Sequence, residues 1–164
     1  MFQKNNQTLQ IGLVVNGPNI LLKRFNVRVE EIPNILRSFG RIAIGKVVLN
    51  HNIAPKLVEI ILNSGLEPII VNGKVDVAVA VETMKIIYNP KINILALGVR
   101  DAHFMPLIIE AKKMGKEVII LTPKDGISDA LQNTADKVIE LSGNHFRERV
   151  TTSSKLTSPL NFIF

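Results

Sequence analysis

The chain has 164 residues, enough for one domain with a sizeable core, and its 46% apolar against 21% charged residues is a globular rather than a disordered balance. A formal net charge of +6 is compatible with nucleic acid as a partner without requiring one. The absence of Cys excludes disulfides and thiolate metal sites, and the lack of any apolar run of about 18 residues argues against a membrane-spanning helix.

The opening MFQKNNQTLQ is polar and unlike a secretory signal, so the expected location is the cytoplasm. A first strand is predicted over Leu9 to Val15. Ile32, Ile35, Leu36 and Phe39 then share one helix face, and Gly40 ends that helix. Ile42 to Leu49 reads as a second strand, and Pro55 to Asn63 as a helix with Pro at its start and Ser64-Gly65 at its end. Pro68 to Val71 is a short third strand. Val75 to Tyr88 is apolar on nearly every side, which predicts a well-buried helix. Ile92 to Val99 is a fourth strand, and Phe104, Leu107, Ile108, Ala111 and Met114 lie on one face of the helix closed by Gly115. Glu117 to Leu121, a short helix from Ser128 to Asp136, and Lys137 to Leu141 complete the series.

Near-continuous apolar strands alternating with helices predict an α/β domain of three layers, α/β/α, around a mostly parallel sheet of five to six strands. That domain is expected over residues 1–141, with 142–164 as an extension outside it. The extension is rich in Ser and Thr and ends in Phe162-Ile163-Phe164, which suits either a tail or an arm that docks on a neighbouring subunit.

In an open parallel sheet, ligands bind beyond the carboxyl ends of the strands, where strand order reverses. The segments expected on that rim are Asn16-Gly17-Pro18-Asn19, Asn72-Gly73-Lys74-Val75-Asp76, Arg100-Asp101-Ala102-His103 and Thr122 to Ser128. Together they would bring Asn16, Asn19, Asp76, Asp101 and His103 to one place. Carboxylates gathered there would hold a hard cation through oxygen. Taken singly, Asp76 and Asp101 read equally well as helix N-caps, and Asn16-Gly17 as a turn.

These motifs resemble a known family. NGPN is similar to the D-G-x-N signature that closes the first strand of NYN domains, the LabA-like branch of the PIN-like nuclease superfamily. GKVDVAVAVETM is similar to that family's K-x-V-D-V-x-x-A-x-[DE], GVRDAHFMP to its [ST]-x-D-x-D-F-x-P, and ALQNTAD to a later aLxxxAD. The likeness spans Ile11 to Leu141 and is greatest to an archaeal group of NYN proteins. It implies a ribonuclease fold with acidic residues around Mg²⁺ or Mn²⁺, and carries those positions to Asn16, Asp76, Glu82, Asp101 and His103.

Two of the five are not acids: Asn16 and His103 stand where the family has Asp. An Asn carbonyl still ligates a hard cation but brings no charge, and imidazole suits Zn, Mn, Ni or Fe better than Mg. His103 is also a candidate general base. Glu82 lies six residues beyond Asp76, about 120° round a helix and about 9 Å along it, so one ion is not expected to take both directly.

Lys23, Arg24, Arg28, Lys74 and Arg100 are candidate phosphate contacts on the same rim, or else solvated loop charges, and Asn19 would hydrogen-bond the ligand or its own loop. Stacking partners for bases are few, chiefly Phe25 and Phe146. The expected partner is RNA, with a homo-oligomer as a further option. No G-x-G-x-x-G or Walker loop follows the first strand, which argues against a nucleotide cofactor. Two functions remain: a metal-dependent ribonuclease with a partly degraded acidic site, or a weakly active or inactive RNA- or protein-binding module on that fold.

Overall fold

The computed structural model describes residues 7–124, 126–141 and 147–149. Seven strands form one sheet: β1 (Gln10–Asn16), β2 (Arg41–Asn50), β3 (Glu67–Val71), β4 (Ile94–Gly98), β5 (Glu117–Pro123), β6 (Lys137–Leu141) and β7 (Arg147–Arg149). Their spatial order is β3-β2-β1-β4-β5-β6-β7. The first six run parallel, and β7 adds to β6 antiparallel. Phe146 and the terminal Phe162-Ile163-Phe164 lie outside the described residues.

Parallel strands need crossovers, and the crossovers lay helices on both faces. One face carries α1 (Gly17–Ile20), α2 (Glu31–Leu36) and α3 (Pro55–Asn63), with Ile20, Ile32, Leu36 and Ile61 buried against Leu13, Val15, Val47 and Leu49. The other carries α4 (Val75–Ile87), α5 (Met105–Lys113) and α6 (Asp129–Thr134), with Val79, Ile86, Ile108 and Leu131 packed on Val14, Val48, Leu97 and Ile120. Alternate residues of β1 therefore serve two cores, which is why its sequence reads as an unbroken apolar run.

Gly12 belongs to this packing. A Cβ there would come within 2.4 Å of Ile86 Cγ2, and that methyl is fixed by β-branching. The missing side chain lets α4 settle directly on the central strand, which in turn fixes where the first turn of α4 falls.

The structure departs from the sequence reading at several points. The helix from Val75 is not buried on every side: Val77 is 62% exposed, Val81 50% and Tyr88 55%. Its inner face meets the sheet, while its outer apolar residues are not part of either core. Met114 is likewise exposed, because it caps α5 rather than continuing its inner face. Phe39 lies beyond the end of α2, in a turn closed by its amide on Leu36 O. Leu9 precedes β1 and is exposed, and Phe104 belongs to a 3₁₀ turn (Ala102–Phe104) that leads into α5.

Gly12→Ala is expected to destabilise the domain by about 1–3 kcal/mol through overpacking against Ile86. At about 2–4 °C per kcal/mol for a chain of this size, the melting temperature should fall by roughly 2–12 °C. A melting curve that superimposes on the parent's would show that α4 is not held at this contact.

Candidate active site at the sheet switch point

Strand order reverses between β1 and β4, and the two crossovers leave in opposite directions. Asn16 is the last residue of β1, only 1% exposed. Gly17 and Pro18 then turn the chain into α1 without a gap. A Cβ on Gly17 would lie 2.7 Å from Val48 O and 2.5 Å from Leu49 Cδ2, so only glycine lets α1 start this close to β2. Pro18 sits at the start of α1, where its fixed φ suits a helix and its missing N–H is not needed. One turn later comes Asn19. Thus NGPN ends a strand, starts a helix and delivers two amide side chains to the same rim.

Each amide reaches a carboxylate from a distant part of the chain. Asn16 Nδ2 donates to Asp76 Oδ1 at 2.9 Å, and Asn19 Nδ2 donates to Asp101 Oδ2 at 3.0 Å. His103 Nε2 lies 2.9 Å from Asp76 Oδ2. Asp76 and Asp101, 25 positions apart in sequence, are thereby bound into one rim: His103 follows Asp101 by two residues, and Asn19 follows Asn16 by three. Asp76 and His103 remain about half exposed, so the rim is open to solvent. Asn16 Oδ1, by contrast, is buried and has no hydrogen-bond partner.

The N-cap reading fails for Asp76 and holds for Asp101 by position only. Lys74 occupies the cap position of α4, and Asp76 lies inside the first turn, where its charge favours the helix dipole. Asp101 does occupy the cap of the Ala102–Phe104 turn, but its carboxylate makes no capping hydrogen bond. Both carboxylates face partners in the rim instead.

Glu82 stands apart from this group. Its carboxylate takes Lys46 Nζ at 2.5 Å and Lys85 Nζ at 2.8 Å, with the side chain 11% exposed. Burial raises its pKa, but the hydrogen bonds and charges of Lys46 and Lys85 outweigh burial and leave it below the ordinary carboxylate value. Lys46 was not singled out from the sequence. The signal was present: a lone lysine inside the run Arg41–Asn50 demands an acid partner.

The basic candidates divide as well. Arg28 is engaged with Glu30 at 3.0 Å and Glu31 at 3.6 Å. Lys23 and Arg24 lie on the 3₁₀ turn Lys23–Phe25 after β1, Lys74 precedes α4, and Arg100 follows β4, so these four share the rim. A cleft of about 670 Å³ occurs at the other end of the sheet, lined by Thr8, Gln10, Arg41 and Asn93 among others, and contains none of the predicted site residues.

Among the described residues no three His, Asp or Glu side chains are gathered as a ready-made cage for an ion. The donor set on the rim is two carboxylates, an imidazole and an amide oxygen. Mg²⁺ is usually held by one or two carboxylates completed by phosphate and water, whereas an imidazole suits Mn²⁺ or Zn²⁺ better. No helix among the described residues is long and apolar enough to cross a membrane.

Comparisons with known proteins bear on family and fold. The family model described as the NYN domain matches residues 10–142. An uncharacterised protein of Methanocaldococcus jannaschii is 43% identical over 149 residues, covering 89% of this chain. The chain spans 62% of the length of that relative. The crystal structure of a protein of unknown function from Vibrio parahaemolyticus superposes with a TM-score of 0.76 at 16% identity, over 88% of this chain and all of that one, which is a likeness of fold.

The Glu82 pairing has a definite pH signature. A carboxylate whose pKa is lowered by folding stabilises the protein above its unfolded value, 4.5, and that stability is lost as pH falls through the folded value. Glu82→Gln should therefore be less stable than the parent at pH 7, with a smaller gap at a pH below 4.5. Denaturation at both pH values checks this, and a stability gap independent of pH would contradict it.

Proposed function

Because the chain belongs to the NYN-domain family, we propose that it is an RNA-directed phosphodiesterase in which Asp76 and Asp101 hold a Mg²⁺ or Mn²⁺ jointly with a phosphate of the RNA. The observation that carries this reading is the convergence of two carboxylates from separate crossovers onto the switch point, each oriented by an amide of the NGPN segment. The fold is that of the PIN-like nucleases. Metal dependence and RNA as substrate are the finer steps of the proposal.

The two orienting amides carry no charge, and among the described residues neither carboxylate is paired with a lysine or arginine. When bound, such a cation would polarise the phosphodiester and acidify a coordinated water. Asn16 fixes the rotamer of Asp76, and its unpartnered Oδ1 is a further oxygen at the base of the site. With Nε2–H on Asp76, His103 offers Nδ1 as the free basic nitrogen, the atom that would take a proton from an attacking water. That tautomer is the one in which Asp76 accepts. Lys74 and Arg100 would neutralise flanking phosphates.

A second reading rests on one specific observation. Both oxygens of Asp76 already have protein partners, Asn16 and His103, so the rim coheres without any ion. Such a site could bind RNA and do no chemistry.

Cleavage of a single-stranded RNA in Mn²⁺ separates the two. The parent is expected to cut slowly, Asp101→Ala to lose at least about tenfold, and the Asn16→Asp/His103→Asp double variant to cut faster than the parent. Activity confined to the double variant would favour the binding reading. Neither cleavage nor binding of RNA by any of the three would remove both.

A further inference from the structure

Phe25 is the only aromatic residue on the rim besides Phe104 and His103 among the described residues, and two guanidinium groups lie against its ring. Arg24 Cζ is 4.7 Å and Arg100 Cζ 4.8 Å from the ring centroid, both within cation–π range. The two cations are therefore no more than about 9.5 Å apart. They come from opposite sides of the switch point: Arg24 from the turn after β1, Arg100 from the end of β4, one residue before Asp101.

Several features hold this arrangement in place. Asn26, in the left-handed conformation at φ 49°, closes the Lys23–Phe25 turn with its amide on Lys23 O. Ser128 N donates to Arg100 O at 3.1 Å, which draws the loop after β5 onto Arg100. In that loop a Cβ on Gly126 would sit 3.0 Å from Arg100 Cδ, so the glycine leaves room for the arginine stem. Arg100 Nε is buried and has no hydrogen-bond partner.

Among the described residues neither guanidinium has a carboxylate partner. Two like charges thus lie against one aromatic platform, one of them a single residue before Asp101. This differs from the other rim arginine, Arg28, which is paired with Glu30 and Glu31. A planar guanidinium matches a phosphate through paired N–H donors, and the aromatic face pre-orders both arginines for it. We infer that Phe25, Arg24 and Arg100 form a clamp for a backbone phosphate of single-stranded RNA, flanking the phosphate held at Asp76 and Asp101.

The inference rests on the RNA-directed reading above and gives the strand a path, from the carboxylates over Arg100 towards Arg24. No base edge is contacted, so the clamp tolerates any sequence. It needs no metal.

The test is a titration of the ¹⁵N-labelled chain with a uridine trinucleotide in low salt with chelator, reading the arginine Nε–H resonances. Parent, Phe25→Leu, Arg100→Lys and Lys91→Ala, whose residue lines the cleft at the other end of the sheet, are compared. The expected result is a saturable shift of the Arg100 Nε–H in the parent, with affinity at least fivefold weaker in Phe25→Leu and Arg100→Lys and within twofold in Lys91→Ala. Phe25→Leu preserves packing and Arg100→Lys preserves charge, so loss in both identifies the stacked guanidinium. No Arg100 shift, or equal affinity in all four proteins, overturns the clamp. Inorganic phosphate shifting Arg100 when the trinucleotide does not would also overturn it. Cleavage in Mn²⁺, followed in parallel, keeps the two proposals apart: cleavage without an Arg100 shift removes the clamp alone, and a shift without cleavage upholds the clamp and removes the hydrolase.

Discussion

The hydrogen bond from Asn16 to Asp76 is the contact on which the site depends. It joins the end of the central strand to the first turn of α4, 60 residues away in sequence, in a position shielded from water on the Asn16 side. An amide and a carboxylate in contact need no counter-ion, because the amide donates and the carboxylate accepts. Two carboxylates in the same contact would repel unless a proton or a cation lay between them. The rim therefore coheres through hydrogen bonds between its own side chains.

The fold imposes this contact from below. Gly12 admits Ile86, Gly17 admits α1, and the reversal of strand order places the β1 and β4 ends side by side. The charges are then sorted by partner. Glu82 is matched by two ammonium groups and acts as a fastening between β2 and α4. Among the described residues Asp76 and Asp101 are met by amides and an imidazole rather than by lysine or arginine. The same sorting distinguishes Arg28, which is paired with glutamates, from Arg24 and Arg100, which lie against an aromatic ring and have no carboxylate partner among the described residues. The partner, rather than the residue type, separates structural charges from those available to a substrate.

Much of this was legible in the sequence. Strands buried on both faces leave unbroken apolar runs, so the parallel sheet, its layers and the Pro55–Asn63 helix could be read directly. The rim followed from the rule that ligands gather at carboxyl ends. What could not be read was which side of an all-apolar helix would be covered. Val77 and Val81 look as buried as Val79 in the sequence, and only the packing of α4 separates them. The four-residue α1 has too few positions to show a period, and its existence follows from contacts with β2. Partnerships between long side chains were also hidden: nothing in the spacing of Lys46 and Glu82, or of Phe25 and Arg100, announces that they meet.

As proposed, the rim would be a phosphodiester site in which the protein supplies two oriented carboxylates and the RNA completes the coordination of the ion. Its most direct test is Mn²⁺ binding by electron paramagnetic resonance, with and without a cleavage-resistant RNA. The account predicts weak binding by the protein alone, at least tenfold tighter binding when RNA is present, and loss of that gain in both Asp76→Asn and Asp101→Asn. Mn²⁺ affinity that ignores the RNA, or that survives both substitutions, would contradict it.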